Sequence, residues 1–173
     1  MTMPQPFPVN PNYLTVICGL LEMHRLSAQD LFESPQADAV RDAMDVPWQG
    51  LSAIERKRLA GLSEDLNAMS ETTSAPAPQE LNHDTQAKLV QVYEARKRGE
   101  WDKALELLRQ WGKDAPLALA SYVRGTIWRA AGDMNTAIVF FEHASRLEPE
   151  NCFFRGLQDL PKPADPVEAS RGA

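Results

Sequence analysis

Arg98-Gly99-Glu100-Trp101-Asp102-Lys103-Ala104 returns 33 residues later as Ala131-Gly132-Asp133-Met134-Asn135-Thr136-Ala137. The same shift aligns Leu105 with Ile138, Leu108 with Phe141 and Pro116 with Pro149. A fixed period of this length marks supersecondary units stacked on one another. Each copy has glycine at the break between two helical runs, where the chain can leave a helix in a left-handed conformation. Breaks at Gly99, at Gly112 to Pro116 and at Gly132-Asp133 delimit four helices, about 84–98, 101–112, 116–131 and 134–147. A short apolar piece, Cys152 to Leu160, precedes a tail at 161–173 whose prolines predict disorder.

Upstream, residues 1–11 carry proline at positions 4, 6, 8 and 11, which predicts an extended arm. A helical region follows over 12–70. Asn12 is placed to cap a helix reaching about Arg25, with Leu14, Ile17, Cys18, Leu21 and Met23 on its apolar side. Ser27 caps a short turn of helix over 28–32. Ser34-Pro35 starts a helix to about Met44 whose inner face is Ala39, Val40 and Ala43. Pro47 to Gly50 reads as a turn. Ser52 and Glu55 then form a capping box for a helix with Leu59, Leu62, Leu66 and Met69 at spacings of 3, 4 and 3. Arg56, Lys57 and Arg58 at its start oppose the helix dipole, so tertiary contacts are expected to offset them. Residues 71–83, small, polar and proline-containing, read as a linker and domain boundary.

The repeated segment resembles the tetratricopeptide repeat, a helix–turn–helix unit of about 34 residues. The family's second-helix pattern stands complete as Ala137, Phe141, Ala144 and Pro149, with Gly125 and Trp128 at the small and aromatic positions of the first helix. In the earlier copy Ala104 and Pro116 match, while Leu108 replaces the aromatic and Trp111 stands at a small position. The resemblance covers roughly 85–150 and implies an all-α fold of about two repeats within residues 84–160. Two repeats do not bury a continuous core unaided. Phe153, Phe154 and Leu157 are candidates for a capping helix at one end, and the N-terminal helices for cover at the other.

Composition excludes several functions. Residues 1–80 carry five Lys and Arg against eleven Asp and Glu, and residues 81–173 carry thirteen of each. No basic stripe is present, which argues against nucleic acid. The apolar run from Tyr13 to Leu21 is shorter than the roughly 20 residues a membrane helix needs. No cation precedes it, so a secretory signal is disfavoured and a cytoplasmic setting expected. Cys18 and Cys152, far apart in apolar surroundings, read as buried structural thiols. His24, His83 and His143 fall in separate segments without metal-ligand spacing, and His143 is read on a solvated face beside Glu142. Asp38, Asp42 and Asp45 share a helix face. A solvated acidic face explains them better than a cation site, because no glycine-containing ligand loop accompanies them. No catalytic fingerprint occurs, so no enzyme, cofactor or metal is expected.

The expected function is protein binding, as an adaptor, scaffold or dedicated chaperone. The resemblance implies a groove lined by the first helices, here Leu89, Tyr93, Arg96 and Lys97, then Leu119, Tyr122, Thr126 and Arg129. Tyrosines flanked by cations would suit an extended peptide with a carboxylate or acidic residue. Alternatively, those residues pack against the N-terminal helices and leave no open groove. A second functional reading is a structural subunit of a homo- or hetero-oligomer, with Trp101, Trp111, Phe153 and Phe154 buried between chains.

Overall fold

A computed structural model describes residues 5–8, 10–71, 82–111 and 115–155. Among them the fold is all-α: eight helices and no strands. The chain forms two compact units, Phe7–Ser74 and Ala75–Ala173, the latter joined by Met1–Pro6.

In the N-terminal unit, α1 spans Pro11–Ser27, α2 Pro35–Gln49 and α3 Ala53–Glu71. The cap of α1 is Asn10, not Asn12. Its side chain accepts from the Tyr13 backbone N–H at 2.9 Å, and Pro11 takes the first helical position, where no N–H is needed. Ser34-Pro35 repeats that arrangement at α2, with Ser34 Oγ accepting from Ala37 N–H at 3.2 Å. Residues 28–33 form turns rather than a helix.

Helix α2 continues past Met44 through Pro47 to Gln49. Proline is tolerated there because it lies in the last turn and costs one intrahelical bond. The turn closes on Gly50 N–H donating to Pro47 O at 3.1 Å. The inner side of α2 also differs from the pattern read in sequence. Ala37 is buried and Val40 half-buried against Met23 and Leu26, whereas Ala39 and Ala43 face outward. Helices α1 and α2 cross closely at Gly19, whose missing Cβ leaves room for the Met44 thioether.

The Ser52–Glu55 capping box forms as its spacing predicts. Ser52 N–H donates to Glu55 at 2.8 Å, and Glu55 N–H to Ser52 Oγ at 3.3 Å. Leu59, Leu62, Leu66 and Met69 are all buried. Arg58, at the electrostatically unfavourable end of α3, lies over the Phe7 ring, 3.6 Å from its centroid. That contact offsets the dipole term.

In the C-terminal unit, α4 spans His83–Lys97, α5 Trp101–Trp111, α6 Leu117–Ala130, α7 Met134–Leu147 and α8 Cys152–Arg155. Helices α4 with α5, α5 with α6, α6 with α7 and α7 with α8 pack as neighbours along the chain. Gly99 and Gly132 end α4 and α6 with φ of 74° and 93°, values that disfavour any side chain. Ala104 and Ala137 are fully buried beneath them. Gly125 makes room for Phe141, and Trp128, Phe140 and Phe141 supply the largest buried side chains. Phe154 caps this core against Ala118, Ala144 and Leu147, and Ser145 Oγ donates to its carbonyl at 2.7 Å.

Several sequence expectations are corrected in this unit. Trp101, Trp111 and Phe154 are buried within the chain and do not await a partner; Phe153, 60% exposed, is the exception. The Trp101 indole N–H donates to Gln5 O at 3.0 Å. The linker and the tail fall largely outside the described residues: 72–81 lie within the segment 71–83, and 156–173 include Leu157 and all of the tail. At the linker's edges, Glu71 belongs to α3, and Asn82 caps α4 by accepting from Thr85 N–H at 2.8 Å.

Candidate partner-binding surface

Helix α4 has apolar residues on two sides, which is why its sequence lacks a single clean stripe. One side is buried through Thr85, Val92 and Ala95. The opposite side exposes Gln86, Val90, Tyr93 and Lys97, at helical spacings of 4, 3 and 4. Val90 is 59% exposed and Tyr93 41%. Leu89 and Arg96 sit half-buried at the border of this stripe. The sequence reading missed Val90, although its spacing from Gln86 and Tyr93 was visible.

The residues expected from α6 are placed differently. Leu119 is half-buried. Tyr122 lies among three rings, 5.8 Å from Phe141, 4.9 Å from Phe153 and 5.7 Å from Phe154, so it belongs to the seam with α8. Thr126 is buried, its hydroxyl donating to Val123 O at 2.8 Å. Arg129 is exposed, with its guanidinium 5.6 Å from the Phe141 centroid. Tyr122 and Arg129 therefore meet through one shared ring. Of the eight expected residues, Tyr93, Lys97 and Arg129 are the exposed ones.

The histidines and cysteines also depart from their sequence reading. His143 is buried, not solvated, and its Nδ1 lies 2.7 Å from Ser121 Oγ across α6 and α7. His24 lines a cleft of about 200 Å³ among α1, α2 and α3, with its Nδ1 3.4 Å from Ser70 Oγ. Leu20, Met23, Met44 and Leu66 are among its other lining residues. Its volume is below the roughly 300–1,000 Å³ of pockets that enclose drug-sized ligands. Cys18 and Cys152 are exposed rather than buried. In α1 the apolar residues spread over more than one side, and Val16 and Ile17 take the inner positions. Asp38, Asp42 and Asp45 are solvated, and Asp38 pairs with Arg41 at 2.6 Å. Among the described residues no group of His, Cys, Asp or Glu is arranged to hold a metal ion, and no helix is long and apolar enough to cross a membrane.

Charge pairing around the unit is local. Glu100 accepts from Arg98 at 2.9 Å and from Lys103 at 3.1 Å, which holds its carboxyl below the usual range. Arg98 is thereby occupied, while Lys97 beside Tyr93 is solvated. No family model, curated protein or solved structure matches this chain.

Proposed function

We propose that this chain is a protein-interaction module, an adaptor, scaffold or dedicated chaperone, whose helical C-terminal unit presents α4 to a protein or peptide partner. One observation carries this reading: the apolar Val90 and Tyr93 stand exposed side by side on a helix that already buries its other face. Aromatic residues on an exposed stripe are the kind that anchor interfaces. Lys97 on the same stripe favours a partner with a carboxylate or acidic residue.

The 33-residue period supports a tetratricopeptide-like arrangement as the scaffold for that surface. A cytoplasmic setting suits a sequence whose two cysteines, far apart along the chain, make no disulfide framework. The contribution expected from α6 is reduced to Arg129, because Tyr122 and Thr126 are engaged within the unit.

The test is a pull-down from the source cell's lysate, comparing the wild type with Tyr93→Ala/Lys97→Glu. Both substitutions are on exposed positions, so circular dichroism should match between the two proteins. Loss of a stoichiometric partner in the variant supports the reading. Retention of every partner at wild-type yield contradicts it.

A further inference from the structure

Gln5 and Pro6 of the N-terminal arm belong to the C-terminal unit. The Gln5 carbonyl accepts from the Trp101 indole N–H at 3.0 Å, across 96 positions of sequence. Pro6 is seated on Gly132: a Cβ built on that glycine would lie 3.1 Å from Pro6 Cβ. Both contacts fall at breaks of the 33-residue period. Trp101 follows the Gly99 break as the first residue of α5, and Gly132 is the next break. The arm therefore lies along one edge of the unit, across two successive breaks.

The chemistry of these contacts is that of proline-rich recognition. Trp101 is buried, and a buried indole N–H needs an acceptor. The acceptor here is the carbonyl of an Xaa–Pro bond, which is a tertiary amide. Prolines at 4, 6 and 8 favour extended backbone, and residues 5–8 form neither helix nor strand. Extended proline-rich backbone makes no internal hydrogen bonds, so its carbonyls are open to a receptor. Gly132, held at a φ of 93°, offers the proline ring a seat without a side chain. Gln5 and Pro6 are themselves exposed. They cover the edge from outside and can leave it without opening the helical core.

We propose that the Trp101–Gly132 edge is a receptor for extended Xaa–Pro segments, with Gln5–Pro6 as its occupant in cis and a proline-rich segment of a partner protein taking the same seat in exchange. The mode is the docking of an extended proline-rich segment on an aromatic side chain. Covalent attachment gives the arm a high effective concentration, so the arm limits binding in trans. This site is independent of the α4 surface and stands or falls separately.

The probe is a fluorescein-labelled peptide of three Gln-Pro units, titrated by anisotropy against the full chain. A peptide of three Gln-Ala units is the control. Gln5→Gly/Pro6→Gly loosens the arm at two exposed positions and leaves Phe7 in place. This variant should bind the Gln-Pro peptide at least about tenfold more tightly than the wild type, and neither protein should bind the Gln-Ala peptide. Adding Trp101→Phe keeps an aromatic ring, deletes the indole N–H and should reverse that gain. Circular dichroism establishes that each variant is folded. If Trp101→Phe does not fold, the loosened-arm variant and the wild type still decide with the two peptides. The proposal is overturned if the loosened-arm variant does not bind the Gln-Pro peptide, or binds it no more tightly than the wild type does. Equal binding of the Gln-Ala peptide overturns it, and so does an affinity that Trp101→Phe leaves unchanged. A wild-type dimer that the loosened-arm variant loses would make the occupant a second copy's arm and also overturn it.

Discussion

The ring of Phe141 occupies the space that a side chain at position 125 would need: a Cβ built on Gly125 would lie 2.5 Å from Phe141 Cε1 and 3.1 Å from the Ala137 carbonyl oxygen. The contact joins α6 to α7 at the centre of the C-terminal unit, where both residues are buried. Gly125→Val should therefore force the helices apart and lower stability by about 2–3 kcal/mol, within the usual cost of overpacking. Urea unfolding monitored by tryptophan fluorescence measures this, since Trp128 lies in the same core.

Acid should destabilise the N-terminal unit through Glu55. The Ser52 backbone N–H, the Ser52 hydroxyl region and the Asn10 amide hold this carboxylate below its usual range, with Arg58 adding to the effect and burial opposing it. A depressed folded-state pKa contributes stability above the unfolded pKa and loses it as pH falls through the folded value. The urea midpoint should fall as the pH drops through and below the ordinary glutamate pKa of about 4.3. Glu22 and Glu100 are depressed too, each through hydrogen bonding to an arginine, so the wild-type slope is shared. Glu55→Gln isolates one share, and its midpoint should vary less over that window.

Much of the fold was legible because periodicity and helix punctuation agree in the C-terminal half. Gly99 and Gly132 need positive φ, and the boundaries of α4 to α7 fall within two residues of those expected. Where local signals competed, the reading was less accurate. Asn10 and Asn12 both precede an apolar run, and Pro11 at the first helical position decides for Asn10. Pro47 looks like a terminator but sits inside the last turn of α2. Of the residues read as a groove, Tyr93 and Lys97 are exposed, but helical spacing alone does not say that Tyr122 meets Phe153 and Phe154 of α8. His143 was read from its neighbour Glu142, whereas its burial comes from the crossing with α6 at Ser121.

Phe7 anchors the start of the N-terminal unit by burying its ring under Arg58. Phe7→Ala should cost about 3 kcal/mol, as for other buried aromatics. Phe7→Leu keeps much of the apolar burial and removes the ring face, so its cost should be smaller, with about 1 kcal/mol from the lost cation–π contact. Chemical denaturation of the two variants side by side separates these effects.

Ser121 and His143 form a buried side-chain hydrogen bond between α6 and α7. Ser121→Ala removes a hydroxyl at an otherwise close-packed position and should destabilise the C-terminal unit by about 1–2 kcal/mol. Thermal unfolding followed by circular dichroism reads this as a lower Tm.

The central claim is that the exposed stripe of α4 contacts a protein partner. Site-specific photocrosslinking in the source cell tests it most directly, with a photoreactive phenylalanine analogue placed in turn at Val90, Tyr93 and, as an exposed control on α5, Asp102. The account predicts a discrete, higher-mass adduct with one other protein from positions 90 and 93 and none from 102. No adduct from 90 and 93, or equal adducts from all three positions, would contradict it.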